Sequence, residues 1–185
     1  MKDPALLTAT ASEPLTLEEE YEMQQKWHLD DDKLTFIVLA RPERQSTAAS
    51  ATNQECDIET CKMIGDVNLF MTDGPQGEDV ECEIMIAEQS YRGKGLAKES
   101  LSLLLHYATS PAPLLAIPPS SLIARIGTSN VGSIRLFESL GFGKVKVVEV
   151  FQEVEMRFGW RDDGVGDVKT EAYWGQAGFI KSYCA

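Results

Sequence analysis

The stretch 89–100, QSYRGKGLAKES, combines residue types that can bind an anion. Gly93 and Gly95 let the backbone approach a ligand closely. Arg92 and Lys94 can add charge-assisted hydrogen bonds to anionic oxygens. A helix that begins after Gly95 would point its first N–H groups and the positive end of its dipole at the same place. The stretch therefore predicts a phosphate cradle, with a nucleic-acid patch and an ordinary surface loop as alternatives.

Two well-defined phosphate motifs do not fit this stretch. A Walker loop needs GxxxxGK followed by Ser or Thr, whereas Lys94 is followed by Gly95, and GKGLAK lacks the last glycine of the dinucleotide fingerprint GxGxxG. The net charge of −12 disfavours nucleic acid or an anionic membrane as a partner, because phosphate polymers and surfaces are bound by basic footprints. The acidic balance weakly favours cationic or amine partners.

The remaining composition is that of one globular domain. The chain has 185 residues, of which 43% are hydrophobic. Its four cysteines form no CxxC pair and it has only two histidines, so we expect no metal site. Reduced thiols indicate a cytoplasmic protein, with a nuclear one as the alternative, and Cys82 is expected to be buried. The first 16 residues contain no hydrophobic signal core, and no apolar run of the sequence approaches the length that a membrane span needs.

Hydrophobic periodicity and turn residues predict a mixed α/β order in which helices alternate with strands. The predicted elements are a helix at 16–27, strands at 34–40, 62–71 and 80–87, a helix from 96 to 108, a strand at 121–127, a helix after Asn130 and one long strand, or two with a bulge, at 145–158. We expect residues 41–61 to form a surface loop. Residues 1–158 are expected to form the domain, with a weakly ordered tail at 159–185.

Local patterns predict faces and helix ends. On the strand 80–87, Val80, Cys82, Ile84 and Ile86 share an apolar face, and Glu81, Glu83 and Met85 share the other. The helix after Gly95 should bury the stripe Ala97, Leu101, Leu104, Leu105 and Ala108. The first helix should begin with a capping box of Thr16 and Glu19 and present Leu17, Tyr21, Met23 and Trp27 on an apolar side. Asn130 should cap the third helix, with Gly141 in the left-handed conformation after it.

The two motifs around the cradle resemble those of the GCN5-related N-acetyltransferase superfamily. RGKGLA, 92–97, matches its pyrophosphate motif Q/R-x-x-G-x-G/A, and 130–142 is similar to its second cofactor motif, a helix that ends in Gly-Phe. Across 8–158 the chain most resembles the N-acetyltransferase 9-like subfamily, which has been linked to alpha-tubulin acetylation. The resemblance implies an acyl-CoA N-acyltransferase fold, a mixed and mostly antiparallel sheet flanked by helices. Because the chain starts near the equivalent of TASEPLT, we expect the first strand and helix of this family to be missing.

The resemblance also implies acetyl-CoA as the co-substrate and assigns residues to it. In this family the strand before the cradle splays from its neighbour, and its end pairs with the pantetheine arm. The implied cofactor-binding residues are Met85, Ile86 and Ala87 at that strand end, Arg92, Gly93, Lys94, Gly95, Leu96, Ala97 and Lys98 around the pyrophosphate, and Asn130 from the other side. A simple helix N-cap is an alternative role for Asn130.

The catalytic candidates are two carboxylates of the strand before the cradle. Glu81 lies eleven residues before Arg92, the spacing of the glutamate base in the histone-acetylating branch of the family, and Glu83 is the rival on the same face. Side by side, two carboxylates can raise each other's pKa. The alternative is that both are solvated strand residues. A backbone N–H near Ile86 is the implied oxyanion donor. Phe137 stands where many family members have the tyrosine that protonates the leaving thiolate.

The expected reaction is transfer of the acetyl group from acetyl-CoA to an amine of a protein, either a Lys side chain or an N-terminus. Direct transfer in a ternary complex is favoured because no cysteine is paired with a plausible base. Tubulin is the protein partner suggested by the resemblance. The alternative is a catalytically weak CoA-binding or microtubule-interaction module, which the phenyl ring at Phe137 favours.

Overall fold

A computed structural model describes residues 13–41, 57–74, 77–110, 115–161 and 163–166, together with Pro4 and Leu7. Its helices within these ranges are α1 (Leu17–Leu29), α2 (Leu96–Thr109) and α3 (Val131–Ser139). Its strands are β1 (Lys33–Ala40), β2 (Lys62–Gly74), β3 (Gly77–Ile86), β4 (Leu122–Gly127), β5 (Phe142–Val148), β6 (Glu153–Phe158), β7 (Trp160–Arg161) and β8 (Gly164–Val165). Among the helices so described, none is long and apolar enough to cross a membrane.

Six strands form one mixed sheet in the order β1-β2-β3-β4-β6-β5. Only β3 and β4 run parallel, and α2 connects them, as a crossover between parallel strands requires. All the other neighbours are antiparallel. The predicted fold class, a mostly antiparallel mixed sheet flanked by helices, is confirmed.

One face of the sheet is the hydrophobic core, covered by α2 and α3. The stripe predicted on α2 is buried at Leu101, Leu104, Leu105 and Ala108. Strand alternation buries Val80 and Cys82 beneath it, and Cys82 is a free thiol with 2% of its surface exposed. The helices therefore pack on one face of the sheet, and many polar side chains lie on the other face.

The opposite face, called here the polar face, carries most of the charged strand residues. The residues that face this side include Lys33 of β1, Asp66 and Asn68 of β2, Asp79, Glu81 and Glu83 of β3, Ile123 and Arg125 of β4, Glu153, Glu155 and Arg157 of β6, and Lys146 of β5. Asn68, which is buried, accepts a 2.6 Å hydrogen bond from Thr35 and donates one of 2.7 Å to Asp66.

The caps agree with the sequence prediction. Thr16 and Glu19 form the reciprocal capping box of α1. Gly141 follows α3 with a φ of +93°, the left-handed conformation that favours glycine. The apolar side predicted for α1 is not buried, however: Leu17 and Tyr21 are 66% and 63% exposed. Trp27 instead lies against Lys33, whose Nζ is 3.2 Å from the ring centre, so a cation–π contact attaches this helix to β1.

Several boundaries differ from the predicted ones because strand pairing extends beyond the apolar runs. β2 and β3 continue through the turn-rich segment until Gly74 faces Gly77. The segment 145–158 is two strands that form an antiparallel pair, with a bulge in β5 between Lys144 and Lys146.

The chain ends and the long loop are described only in part. The segment 159–185, expected to be weakly ordered, begins with the short antiparallel pair β7–β8, and the residues after 166 lie outside the described ranges. Most of the predicted loop 41–61 also lies outside them, as do residues 1–12 apart from Pro4 and Leu7, where we expected a strand and a helix to be missing.

Candidate functional site

The parallel strands β3 and β4 separate soon after they meet. Residues 80–81 pair with 122–123, but the remaining segments, 82–86 of β3 and 124–127 of β4, have no register with each other. Backbone N–H and C=O groups need partners, and two diverging strands leave theirs available between them. The structure therefore contains, at the end of β3, the splay implied by the resemblance. Met85, Ile86 and Ala87 lie at its open end.

The cradle follows directly, and both of its glycines have a positive φ. Gly93 and Gly95 have φ of +72° and +83°, a region that side chains with a Cβ rarely adopt. A Cβ placed on either glycine would meet no atom of the described chain within 4 Å. Backbone conformation rather than crowding thus requires glycine here, and the space above both residues is open.

The start of α2 offers hydrogen-bond donors to that space. Gly95 is the N-cap and supplies no side-chain oxygen, so the first turn has no side-chain cap. Within the described ranges, no acceptor faces the amide N–H groups of residues 93–98. Lys94 and Lys98 are exposed beside them. This arrangement of free donors and the positive end of a helix dipole is the usual form of a phosphate site.

Arg92 makes contacts that the sequence did not predict. Its Nε donates a 2.8 Å hydrogen bond to the carbonyl oxygen of Ile86, and its terminal nitrogen donates another of 2.8 Å to that of Ala87. The guanidinium group therefore attaches the cradle to the end of β3. Lys94 lies over the ring of Tyr91, with 5.3 Å between Nζ and the ring centre.

Glu81 belongs to a network of charges that spans four strands. Its carboxylate accepts a 2.5 Å hydrogen bond from Arg125 of β4. Arg125 also lies 3.6 Å from Glu155 of β6, which is 3.4 Å from Lys146 of β5. Burial raises the pKa of Glu81, while Arg125 acts in the opposite direction.

Glu83, two residues further towards the splay, has a different environment. Its side chain makes no hydrogen bond or ion pair with any residue in the described ranges. Although the residue is exposed, the atoms around its carboxyl desolvate it and raise its pKa, and the charge of Glu81 raises it further. Lys33 lowers the same pKa, while Asp66 raises it. The pKa of both carboxylates is therefore raised, but within the described ranges only that of Glu81 has a side chain bonded to it.

Comparison with known proteins identifies the family. A model described as "Acetyltransferase (GNAT) domain" matches residues 1–143. The chain belongs to the GNAT acetyltransferase family. It is 45% identical over 157 residues to human alpha/beta-tubulin-N-acetyltransferase 9, covering 85% of this chain and 70% of the human protein. It is 44% identical over 158 residues to the N-acetyltransferase 9-like protein of Nematostella vectensis, covering 85% and 73% of the two chains.

Solved structures share the fold of this GNAT domain. An uncharacterized protein from Bacillus halodurans superposes with a TM-score of 0.61 at 16% identity, covering 94% of this chain and 79% of that one. A mutant spermidine N-acetyltransferase from Vibrio cholerae gives 0.55 at 19% identity, covering 77% and 75%. The resemblance found in the sequence is confirmed, and the chain is an acetyl-CoA-dependent acetyltransferase that acts on an amine.

The residues present fit acetyl-CoA. Within the described ranges, the cradle provides N–H groups without an acceptor and open space for a phosphate. The splay beside it provides a length of β3 that has no register partner in β4, and Arg92 bonds the carbonyl groups of Ile86 and Ala87 at its end. Asn130 caps α3, accepting a 3.1 Å hydrogen bond from the backbone N–H of Ser133, so its capping role is present. In the described ranges, no group of three or more His, Cys, Asp or Glu side chains is placed to hold a metal ion.

Phe137, at the position where many family members have a tyrosine, is buried in this GNAT domain. It is 3% exposed and packs edge-to-face against Phe142, with 5.0 Å between the ring centres. It is a core residue of α3.

The sequence did not indicate the roles of Arg125 and Arg157 on the polar face. These positions are distant along the chain from their partners, and the strand register across β3, β4 and β6 brings them together.

Proposed function

We propose that this chain binds acetyl-CoA in the splay between β3 and β4 and transfers its acetyl group to an amine of a protein. The observation that carries the proposal is the continuity of the splay with the uncapped cradle at residues 93–98. The cradle would take the pyrophosphate, and the backbone at Met85, Ile86 and Ala87 would pair with the pantetheine arm. A backbone N–H near Ile86 would stabilise the oxyanion.

We assign the role of general base to Glu83 in preference to Glu81. Arg125 already occupies the carboxylate of Glu81 at 2.5 Å, whereas that of Glu83 has no such partner in the described structure. An amine must lose a proton before or while it attacks the thioester carbon, and a carboxylate with a raised pKa accepts that proton more readily. Glu81 then serves as a support for the strand.

The transfer would be direct. The amine nitrogen forms a bond to the thioester carbon and the carbon–sulfur bond breaks, so the products are the N-acetyl amide and CoA. Of the two cysteines in the described ranges, Cys82 is buried against the core and burial raises the pKa of its thiol far above the usual value, which disfavours a thiolate nucleophile. The leaving thiolate would take its proton from solvent, since Phe137 has none to give.

The acceptor would be a Lys side chain or an N-terminal amine of a protein such as tubulin. Relatives with 45% and 39% identity are named alpha/beta-tubulin-N-acetyltransferase 9, and the polar face carries carboxylates that suit a cationic amine. The expected site of action is the cytoplasm.

The test is incubation of purified tubulin, and separately of a cell extract, with isotope-labelled acetyl-CoA, followed by mass spectrometry of the acetylated peptides. Release of CoA thiol is measured in the same samples. We expect labelled amides and thiol in equal amounts, and loss of both with Gly95→Glu, which puts a carboxylate in the cradle. Thermal stabilisation by acetyl-CoA without labelled protein would refute the proposed acceptor class, and unchanged affinity in Gly95→Glu would refute the location.

A further inference from the structure

Two buried charges on the polar face have no part in the proposed chemistry. Arg157 of β6 and Asp79 of β3 form an ion pair in which one guanidinium nitrogen lies 2.9 and 3.1 Å from the two carboxylate oxygens. Their side chains are only 8% and 4% exposed. The other terminal nitrogen of Arg157 donates a 2.9 Å hydrogen bond to the carbonyl oxygen of Ser120, just before β4. The pair thus joins β3, β6 and the segment leading into β4.

This ion pair lies at the vertex of the splay, which is the point where β3 and β4 begin to separate. Asp79 directly precedes Val80, the first residue of β3 that is in register with β4. Arg157 is the register partner of Ile123, which is in turn the partner of Glu81. The ion pair therefore crosses over β4 at the short joint from which β3 and β4 diverge.

A second ion pair lies on the other side of the same joint. Glu81 receives its hydrogen bond from Arg125, which is two residues beyond Ile123 on β4. Residues 80–81 of β3 and 122–123 of β4, which are the paired residues of these two strands, thus lie between two ion pairs. Asp79–Arg157 lies before them, and Glu81–Arg125 lies where the splay begins. Side-chain ion pairs thus connect these strands where they share few backbone hydrogen bonds.

We propose that Asp79 and Arg157 are positioning residues that fix the vertex, and through it the separation of β3 and β4 where acetyl-CoA would bind. A buried ion pair is a poor source of stability, because apolar residues of similar size often serve as well. The ion pair does restrict how the joined segments are placed relative to one another. A planar guanidinium group that bonds both a carboxylate and a carbonyl oxygen does so in few geometries. The inference rests on the proposed acetyl-CoA site and adds the residues that shape it.

The experiment separates positioning from stability with a double variant. Asp79→Leu or Arg157→Met alone leaves one buried charge unpaired and should lower the melting temperature strongly, whereas the double variant should recover most of that loss. Acetyl-CoA binding is then measured by calorimetry at a temperature where each protein is folded. We expect the double variant to bind about 10-fold more weakly than the wild type, because small displacements of a positioned group have large effects. Recovery of both stability and affinity would overturn the proposal.

Two controls keep the outcome decisive. Val154→Ala, on the core face of β6, should lower the melting temperature without weakening acetyl-CoA binding. If the double variant does not fold, Arg157→Lys is the substitute: one ammonium group cannot reproduce the fork to Asp79 and Ser120, so weaker binding is expected and unchanged binding would refute the role.

A readout without ligand separates this inference from the proposed function. Amide hydrogen exchange at residues 80–82 and 122–124 of the ligand-free protein should be faster in the double variant, or in Arg157→Lys, than in Val154→Ala. Equal exchange would refute the positioning role. If the wild type fails to bind acetyl-CoA, the proposed function falls while the exchange result still decides the role of the ion pair.

Discussion

Gly95→Ala should separate the two reasons for glycine in the cradle. The φ of Gly95 is +83°, and a Cβ there would meet no described atom within 4 Å, so the substitution introduces backbone strain without a clash in this part of the chain. The left-handed conformation costs an L-residue roughly 1–2 kcal/mol. The lower chain entropy of unfolded Ala offsets about 0.4–1 kcal/mol of this. We therefore expect a net loss of about 1 kcal/mol, which lowers the melting temperature by about 2–4 °C in a protein of this size.

The same methyl group should have a larger effect on acetyl-CoA binding. It would stand in the open space where the proposed pyrophosphate approaches the backbone, and lost hydrogen bonds to a charged group cost about 1.5–3 kcal/mol. A loss of that size corresponds to about 10-fold or more in affinity. At a ligand concentration about 100 times the wild-type Kd, acetyl-CoA stabilises the protein by about 2.7 kcal/mol, and the variant should lose at least about half of that gain.

The assay is thermal unfolding with and without acetyl-CoA, and Gly164→Ala is the matched control. Gly164 also has a positive φ, +112°, and a Cβ on it would meet no atom of the described residues within 4 Å, but it lies in β8, outside the cradle. We expect Gly164→Ala to lower the melting temperature while keeping the full shift with acetyl-CoA. If Gly95→Ala also keeps the full shift, the reasoning that places the pyrophosphate at this glycine is refuted.

Two further predictions concern Glu83 and Phe137. The base must be ionised, so kcat/KM should fall as the pH drops through the raised pKa of Glu83. Glu83→Gln should remove this acidic limb of the pH–rate profile and lower the rate by a factor of about 10²–10⁴. Glu81→Gln should keep the acidic limb. A raised pKa means that the folded protein binds the proton of Glu83 more tightly than the unfolded protein does, so stability falls as the pH rises above the unfolded pKa. Glu83→Gln should therefore raise the melting temperature at pH 7. At about pH 3, where Glu83 is protonated in both the folded and the unfolded state, the melting temperature should be unchanged. Phe137→Tyr should bury a hydroxyl beside Phe142 and cost about 1–3 kcal/mol without increasing turnover, and a large increase in turnover would show that the position faces the acetyl-CoA.

The local features of this domain could be read from the sequence because each depends on neighbours along the chain. The capping box of Thr16 and Glu19, the left-handed Gly141 and the buried stripe of α2 follow from short-range sterics and periodicity. The cradle belongs to this class, since its glycines and the start of its helix are adjacent. Its location was therefore predictable before any strand pairing was known.

Features that depend on pairing between distant strands could not be predicted in this way. The contact of Arg125 with Glu81 joins positions 44 residues apart, and that of Arg157 with Asp79 joins positions 78 apart. The spacing of Glu81 before Arg92 indicated a base, but spacing does not show which carboxylate oxygen is already occupied. The register of β3 with β4 shows it, and it shifts the assignment towards Glu83.

Arg92 illustrates why the splay is stable without its ligand. Two strands that separate within a sheet would each expose unpaired carbonyl groups, and such groups are costly when they are shielded from water. Here the guanidinium group of Arg92 satisfies the carbonyl groups of Ile86 and Ala87 at the end of β3, where β4 provides no partner. The residue expected to hold a phosphate therefore also completes the strand next to it. Because the same side chain lies at the start of the cradle, binding at the cradle and the conformation of the strand end should depend on each other.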